Sequence, residues 1–190
     1  MAPPESRSSP GADAGDLLLV AAGDAAATAR LLKRWRSPVY DVFEKSREPA
    51  EALEAAAAVF ERLLASASKY EPATPFEERL WTLVAREADR APRAEVPTIP
   101  PSRLRESAAA RAALLRGAVG ALPPGERSAF LLTRVARLSL PLAAAATGAS
   151  EADLRRRLVR AFTALSESLA PLIAPRAPEP EAAPDPGGAP

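Results

Sequence analysis

The chain has 190 residues, enough for one medium-sized domain or two small ones. Its hydrophobic fraction is 47% with only 5% aromatic residues, and it is rich in Ala and Leu, which favour helices over strands. It contains no cysteine and no histidine, which excludes disulfides, the usual zinc sites and the Ser-His and Cys-His catalytic pairs. This composition predicts an all-α protein without a metal or cofactor.

The formal net charge is only +1, but the charges are unevenly distributed. Residues 16–90 contain 13 acidic and 11 basic residues, whereas residues 103–170 contain 5 acidic residues and 11 arginines, a net charge of +6. A basic half beside a mildly acidic half indicates that only the C-terminal half meets a polyanion.

Three polar, proline-rich stretches divide the chain. Residues 1–15, residues 89–106 and the tail 171–190 are expected to be unstructured, because prolines interrupt them repeatedly. Two small helical domains are therefore predicted, at 16–90 and 107–170, joined by a flexible linker over 91–106. No apolar run approaches the roughly 20 residues that a membrane span needs, and the N-terminus is not a signal peptide, so we expect a cytoplasmic protein without a membrane partner.

Four helices are predicted in the first domain. Asp16 is expected to cap the first, which ends near Gly23–Asp24, and Pro38 is expected to bend the second. Pro49 suits the first turn of the third helix, because its missing N–H is not needed there. A turn at 70–75 precedes the fourth. The aromatic residues expected in the core, because they recur with leucines at helical spacing, are Trp35, Tyr40, Phe43, Phe60 and Phe76. Tyr70 and Trp81 lie off that stripe and are expected to be exposed.

The second domain has a sharper pattern. A first helix ends at 120–124, and a second is predicted over Glu126–Leu138. A short alanine-rich helix over Leu142–Thr147 ends at Gly148, which is a favourable C-terminal cap. Ser150 begins another helix, and Ser150 with Asp153 fits the capping-box pattern.

A short helix, a glycine turn and a second capped helix form the pattern of a helix-turn-helix. On the second helix Arg156 and Arg160 lie opposite the leucine stripe, and Arg155 and Arg157 flank it. Guanidinium groups in this position can bind phosphates or pair with guanine in the major groove. Residues proposed for DNA binding are Ser150, Arg155, Arg156, Arg157 and Arg160. The alternative is that the arginines form an ordinary solvated face held by the protein's own acids.

Several motifs follow one another in the second domain. They are Leu122 and Pro123 with Arg127 shortly after, an aliphatic helix, a short helix, the glycine turn, and a basic helix that ends in Arg160–Ala161. In this order they resemble region 4 of the extracytoplasmic-function sigma factors of bacterial RNA polymerase. The first domain resembles region 2 of the same family. The positions that match are, in chain order, Leu17, Gly23–Asp24, residues 38–40, the helix 51–60, and residues 70–72 with Phe76 and Leu80.

The resemblance implies what each domain binds. The first would bind the core RNA polymerase clamp through Glu51 and Glu54 and would engage the minus-ten promoter element; the residues implied there are Tyr70, Arg79, Trp81 and Arg86. The second would read the minus-thirty-five element of promoter DNA, and an anti-sigma factor is a further candidate partner.

Two other functions fit the same sequence. One is a sigma-like interaction protein that binds an anti-sigma factor or another regulator without directing polymerase. The other is a stand-alone helix-turn-helix transcription regulator. An enzyme is not expected, because the paired carboxylates Glu77 and Glu78 have no accompanying base and no glycine-rich phosphate loop is present. No small-molecule substrate is therefore expected.

Overall fold

A computed structural model describes residues 10–173, and all regular structure in that range is helical. The all-α prediction is confirmed for this part of the chain. The first lobe consists of α1 Pro10–Ala21, α2 Ala25–Glu44, α3 Pro49–Ala65 and α4 Phe76–Arg90. The second lobe consists of α5 Pro101–Glu106, α6 Ala108–Ala121, α7 Glu126–Phe130, α8 Leu140–Thr147, α9 Glu151–Ser168 and α10 Ala170–Ile173.

The first helix begins earlier than expected. It starts at Pro10, so the expectation of an unstructured stretch is wrong for residues 10–15, while residues 1–9 lie outside the described part of the chain. Asp16 is not an N-cap, since it lies inside α1 and accepts hydrogen bonds from Arg30 at 2.6 and 3.0 Å. Asp13 is buried and pairs with Arg34. These two ion pairs to α2 fix α1, which the local sequence could not show.

The remaining helices of this lobe begin and end near their expected positions. Asp24 caps α2 by accepting from the backbone N–H groups of Ala26 and Ala27 at 2.7 and 3.1 Å. Helix α2 runs through Pro38 as one element, and Pro49 occupies the first turn of α3. A 3₁₀ turn at Ala67–Lys69 follows α3.

The aromatic side chains of the first lobe form part of its core. Phe43, Phe60 and Phe76 are buried, and the half-buried Trp35 and Tyr40 pack against them, so the expected core role is confirmed. The expected exposure of Tyr70 and Trp81 is wrong, since they are only 6% and 3% exposed. The Trp81 ring meets Trp35 edge-on with ring centroids 6.1 Å apart, and the Tyr70 hydroxyl donates to the carbonyl oxygen of Thr74 at 3.0 Å. Tertiary packing, rather than local spacing, therefore decided the burial of both rings.

The single helix expected over Glu126–Leu138 is interrupted. Helix α7 ends at Phe130 and continues as a π-helical turn over Leu131–Val135, in which the Ala136 N–H donates to the Leu131 carbonyl at 3.0 Å. Arg137 then has a φ of +56°, an uncommon conformation for a residue other than glycine. This change of direction brings the chain into α8.

The two lobes share one continuous hydrophobic core. Helix α4 of the first lobe packs against α7 and α8 of the second, and α2 contacts the π-helical turn. Because burial is continuous between residues 16–90 and 107–170, these segments do not form separate cores. The division into two domains joined by a flexible linker stays a prediction, and in this conformation the linker does not hold the two segments apart.

The linker is also more ordered than the prolines suggested. Helix α4 extends to Arg90 and α5 occupies 101–106, so the expected unstructured stretch over 89–106 is wrong at both ends. Residues 91–100 lack regular structure but pack beside α6, where the Ala94 N–H donates to the Gly120 carbonyl at 3.2 Å. The expected disordered tail from 171 is helical as far as Ile173, and its remainder lies outside the described residues.

Replacing Trp81 with alanine tests its burial. We expect the free energy of unfolding to fall by about 3–5 kcal/mol, because a buried aromatic ring is lost and a cavity remains. Urea unfolding followed by circular dichroism measures this, with Trp81→Phe as the control that keeps a ring in place. A loss below about 1 kcal/mol for Trp81→Ala, within the range of a surface substitution, would contradict the buried position.

Candidate nucleic-acid interface

Helices α8 and α9 form a bihelical corner around Gly148. This glycine has a φ of +63°, and its N–H donates to the carbonyl of Ala145 at 3.1 Å, which ends α8. The left-handed conformation at the C-terminal cap suits glycine, which has no Cβ. Two residues later Ser150 begins α9, so the expected helix-turn-helix geometry is present.

Ser150 caps α9 in a variant of the capping box. Its hydroxyl oxygen accepts from the backbone N–H of Asp153 at 3.1 Å, and its hydroxyl donates to the Asp153 carboxylate at 2.8 Å. The serine hydroxyl stabilises the ionised carboxylate and Arg156 adds to this, so the pKa of Asp153 lies below its ordinary value. The start of α9 is thus fixed by local contacts.

The two faces of α9 differ in burial and charge. The inward face is apolar and buried, and it consists of Leu154, Leu158, Ala161 and Leu165. Arg155, Arg156 and Arg160 are exposed on the outer surface, as the helical wheel predicted. The leucine stripe therefore fixes the direction in which these guanidinium groups point.

Each of the three exposed arginines has an acidic neighbour on the protein itself. Arg155 pairs with Glu151 at 2.9 Å, Arg156 pairs with Asp153, and Arg160 pairs with Glu126 at 2.8 Å. All three guanidinium groups remain largely exposed to water, which screens such pairs and keeps them weak. The pairs therefore orient the side chains while leaving most of each guanidinium group exposed to water.

Arg157 differs from the other three arginines. It is half-buried, and its guanidinium lies against Gly125 at the start of α7. The Nη1 atom of Arg157 is 3.2 Å from the position that a Cβ on residue 125 would occupy. Gly125 has a φ of +82°, so both its conformation and its neighbour favour glycine. Arg157 is thus directed toward α7 more than toward the open face of α9.

The sequence analysis missed three residues on the same surface. Val159 is 66% exposed in the middle of the arginine-rich face, and Phe162 is exposed one turn further along the helix. Arg134, exposed on the π-helical turn, stacks on the Phe162 ring with its guanidinium carbon 5.0 Å from the centroid. The sequence pattern gave no expectation for residue 159, and Arg134 belonged to a predicted helix, so neither position gave a signal on its own.

Comparison with known proteins agrees with this geometry. Residues 112–165, which include α7, α8 and most of α9, match the family model of Sigma-70, region 4. The second lobe carries a sigma-70 region 4 domain. None of the curated proteins matches this chain.

The fold likeness extends beyond region 4. The solved structure of CnrH in complex with the cytosolic domain of CnrY superposes with a TM-score of 0.64 at 23% identity. The superposition covers 84% of this chain and 97% of CnrH, so both lobes have counterparts there. Together with the region 4 match, this confirms the resemblance to sigma factors that the sequence motifs indicated.

The residues implied for the minus-ten element do not lie on one open surface. Tyr70 and Trp81 are buried, and Arg79 is half-buried, with its guanidinium donating to the Ser66 carbonyl at 2.8 Å and lying over the Tyr70 ring. Only Arg86 is exposed. The first lobe therefore presents one of these four side chains to solvent in the conformation described.

The residues implied for polymerase binding are accessible. Glu51 and Glu54 are exposed on α3, and Leu53 between them is 64% exposed. Both residues line a cleft of about 540 Å³, formed mainly by the first lobe and the start of the linker, which Arg90 and Arg93 also line. This combination of acids and an exposed leucine can bind a basic partner that also has apolar surface.

Residues 10–173 contain no cluster of three or more acidic side chains arranged to hold a metal ion. None of the helices over the same range is both long and apolar enough to cross a bilayer.

Replacing Asp153 with asparagine tests the electrostatics of the α9 cap. Because the pKa of Asp153 is lower in the folded protein, its charge stabilises the fold above its ordinary pKa, and this contribution is lost as the pH falls through the folded value. We expect the melting temperature of Asp153→Asn to lie below that of the wild type at pH 7 and to converge with it in acid. Glu167→Gln on the same helix is the control. A difference in melting temperature between Asp153→Asn and wild type that does not change with pH would contradict the electrostatic role assigned to Asp153.

Proposed function

We propose that this protein is a transcription initiation factor of the extracytoplasmic-function sigma type. Region 4 would place α9 in the major groove of the minus-thirty-five element, while the first lobe binds core RNA polymerase. The observation that carries the proposal is the α8–α9 corner, where a buried leucine stripe directs exposed guanidinium groups outward. The action is non-catalytic, since it consists of recruitment and strand opening. Its partners belong to the bacterial cytoplasm, where we place it.

Different side chains of α9 would contact bases and phosphates. Arg155 and Arg156 lie in the first two turns, where recognition helices contact base edges, and we assign them to guanine. Arg160 would contact phosphates, as would the N-terminus capped by Ser150, whereas Arg157 would do so only after leaving its position against Gly125. Val159 adds an exposed apolar group that fits the methyl group of thymine.

The first lobe would supply the polymerase contact. Glu51 and Glu54, with the exposed Leu53, form an acidic and apolar surface suited to the clamp. Arg86 is the accessible member of the set implied for the minus-ten element. Contacts by Tyr70, Arg79 and Trp81 would require rearrangement, because the first lobe covers their side chains in the described conformation.

As a second proposal, we infer that this chain binds an inhibitory protein partner, an anti-sigma factor. CnrH was solved with the cytosolic domain of CnrY, and this chain shares its fold over both lobes. An anti-sigma factor would fit the cleft beside Glu51 and Glu54, where it would compete with polymerase. A sigma-like protein that binds only such a regulator would use the same surface.

Alanine substitutions on α9 test the division of roles. Arg156→Ala is expected to change promoter choice, because the side chain is assigned to a base. The free energy of binding to the cognate promoter is expected to fall by about 1–3 kcal/mol. Arg160→Ala is expected to weaken binding to all DNA sequences alike. It is also expected to lower, by about one unit, the slope of the logarithm of the binding constant against the logarithm of the salt concentration. Promoter binding by the polymerase holoenzyme is measured over a range of salt concentrations. Arg105→Ala on α5 is the control, and unchanged promoter use by both α9 variants would refute the recognition-helix assignment.

Charge reversal on α3 tests the polymerase contact. Glu51→Lys combined with Glu54→Lys is expected to lower co-purification of core polymerase at least about tenfold, because like charges would then meet across the interface. Glu61→Lys, at another exposed position on the same helix, is the control. Equal recovery of polymerase by both proteins would place the contact elsewhere.

Run-off transcription separates the candidate functions. Core polymerase with the added chain should produce discrete transcripts from genomic fragments if the protein is a sigma factor. An interaction protein would fail to recover polymerase, and a stand-alone regulator would bind duplex DNA tightly without it.

A further inference from the structure

The three exposed arginines of α9 carry little uncompensated charge. Each of them forms an ion pair within the second lobe; the pairs are Arg155 with Glu151, Arg156 with Asp153, and Arg160 with Glu126. A DNA phosphate that approaches one of these guanidinium groups therefore also approaches a carboxylate, which repels it. The outer face of α9 thus attracts a polyanion less strongly than the number of its arginines suggests.

The segment before α9 has the opposite charge pattern. Residues 127–150 contain three arginines and no acidic residue. Arg127 is buried, whereas Arg134 and Arg137 are exposed. Within residues 10–173, neither of these two exposed guanidinium groups forms a salt bridge or donates a hydrogen bond. Exposed positive charge without a compensating acid therefore lies beside α9, on the π-helical turn and the residues that follow it.

An aromatic pair holds Arg134 in place. Its guanidinium carbon lies 5.0 Å from the centroid of the Phe162 ring on α9, and Phe130 meets the same ring edge-on with centroids 5.9 Å apart. The attraction between a cation and an aromatic face favours this position of the side chain. The N–H donors of a guanidinium lie in its own plane, so a ring against one face does not consume them. Arg134 is thus positioned with its donors available to an external acceptor.

Arg137 has an unfavourable backbone conformation and no partner for its charge. Its φ is +56°, an angle that glycine adopts at lower cost. The Leu138 N–H donates to the Leu132 carbonyl at 3.0 Å and so fixes the backbone around it. Within the described residues, no ion pair or hydrogen bond of the Arg137 side chain offsets this cost. Strained residues of this kind are typical of functional sites.

With α9 in a major groove, both arginines would face the DNA backbone. The first residues of the second helix of a helix-turn-helix contact base edges, while the first helix crosses the backbone. From Arg156 to Phe162, α9 advances by about 9 Å, which is most of the roughly 12 Å width of a major groove. Arg134, which lies over Phe162, would therefore stand at the edge of the groove, where phosphates line it. Arg137 precedes the Ser139 N-cap of α8 by two residues, beside the helix that would cross the backbone.

We propose that Arg134 and Arg137 form a phosphate-binding surface that contacts the backbone of duplex DNA independently of its sequence. The proposal rests on the promoter binding proposed above and adds residues outside α9 that supply part of its affinity. Base contacts by α9 would select the promoter, whereas this surface would strengthen binding to every duplex alike.

Arg137→Gly separates DNA binding from folding. Glycine suits a φ of +56°, so we expect the melting temperature of the variant to equal or exceed that of the wild type. Binding of promoter duplex by the polymerase holoenzyme is expected to weaken at least about threefold at about 0.15 M salt, because one phosphate contact is lost. Fluorescence anisotropy of the labelled duplex measures the affinity, and circular dichroism during heating measures the stability.

Arg134→Gln combined with Arg137→Gly removes both charges. We expect affinity to fall at least about tenfold, and the slope of the logarithm of the binding constant against the logarithm of the salt concentration to fall by about two units. The loss of affinity should be equal for a promoter duplex and for one with a scrambled minus-thirty-five element, because both have the same phosphates. Arg103→Ala combined with Arg105→Ala is the matched control, since it removes the same charge from exposed positions of α5, outside the helix-turn-helix.

Three results would overturn the proposal. The first is a salt dependence of the double variant equal to that of the wild type or of the control. The second is a loss confined to the promoter duplex, which would mean that these side chains read bases. The third is a melting temperature of Arg137→Gly below that of the wild type, which would assign Arg137 to the stability of the fold.

Two further outcomes separate this surface from the function on which it rests. If the wild type recovers core polymerase and the double variant does not, the surface binds protein and its assignment to phosphates is refuted. If the wild-type holoenzyme does not bind the promoter, the proposed function fails and the phosphate-binding surface fails with it. Promoter binding that is equal in the wild type and the double variant refutes the surface alone.

Discussion

The burial of the Arg127 guanidinium holds the described conformation together. Its three carbonyl acceptors come from the linker and α6, so a single side chain joins segments that are about 35 residues apart in sequence. A buried charge is tolerated only when most of its donors find acceptors, and here backbone carbonyls accept from Nη1 and Nη2 while Nε has no partner among the described residues. The position of the linker, the approach of α6 to the first lobe and the contact between α4 and α8 are mutually dependent on this junction.

Local contacts fix α9, whereas contacts between distant segments hold the two lobes together. Helix α9 is fixed by the Ser150 cap and by an apolar inner face, and these local contacts set the direction of its arginines. The polar contacts between the lobes, by contrast, are few and partly solvent-exposed.

The sequence predicted those parts of the site that depend on local interactions. The glycine at 148, the serine at 150 and the leucine spacing on α9 are short-range signals, and each had the expected structural consequence. The same reasoning failed for Trp81, because its burial depends on Trp35, which lies 46 residues earlier. It also missed Arg134, because the π-helical turn that places this residue beside Phe162 has no distinctive local pattern.

The sequence by itself determined that the chain is helical, that a helix-turn-helix lies near its C-terminus, and that the helix over 151–168 directs arginines outward. Periodicity, caps and composition act within a few residues and are therefore readable from the chain. Only the tertiary structure decided that the lobes share a core, that the proline-rich linker is fastened to α6, and that Arg127 is buried. These features arise from contacts between distant segments, and proline content reports only that a segment is not helical, not whether another part of the protein holds it in place.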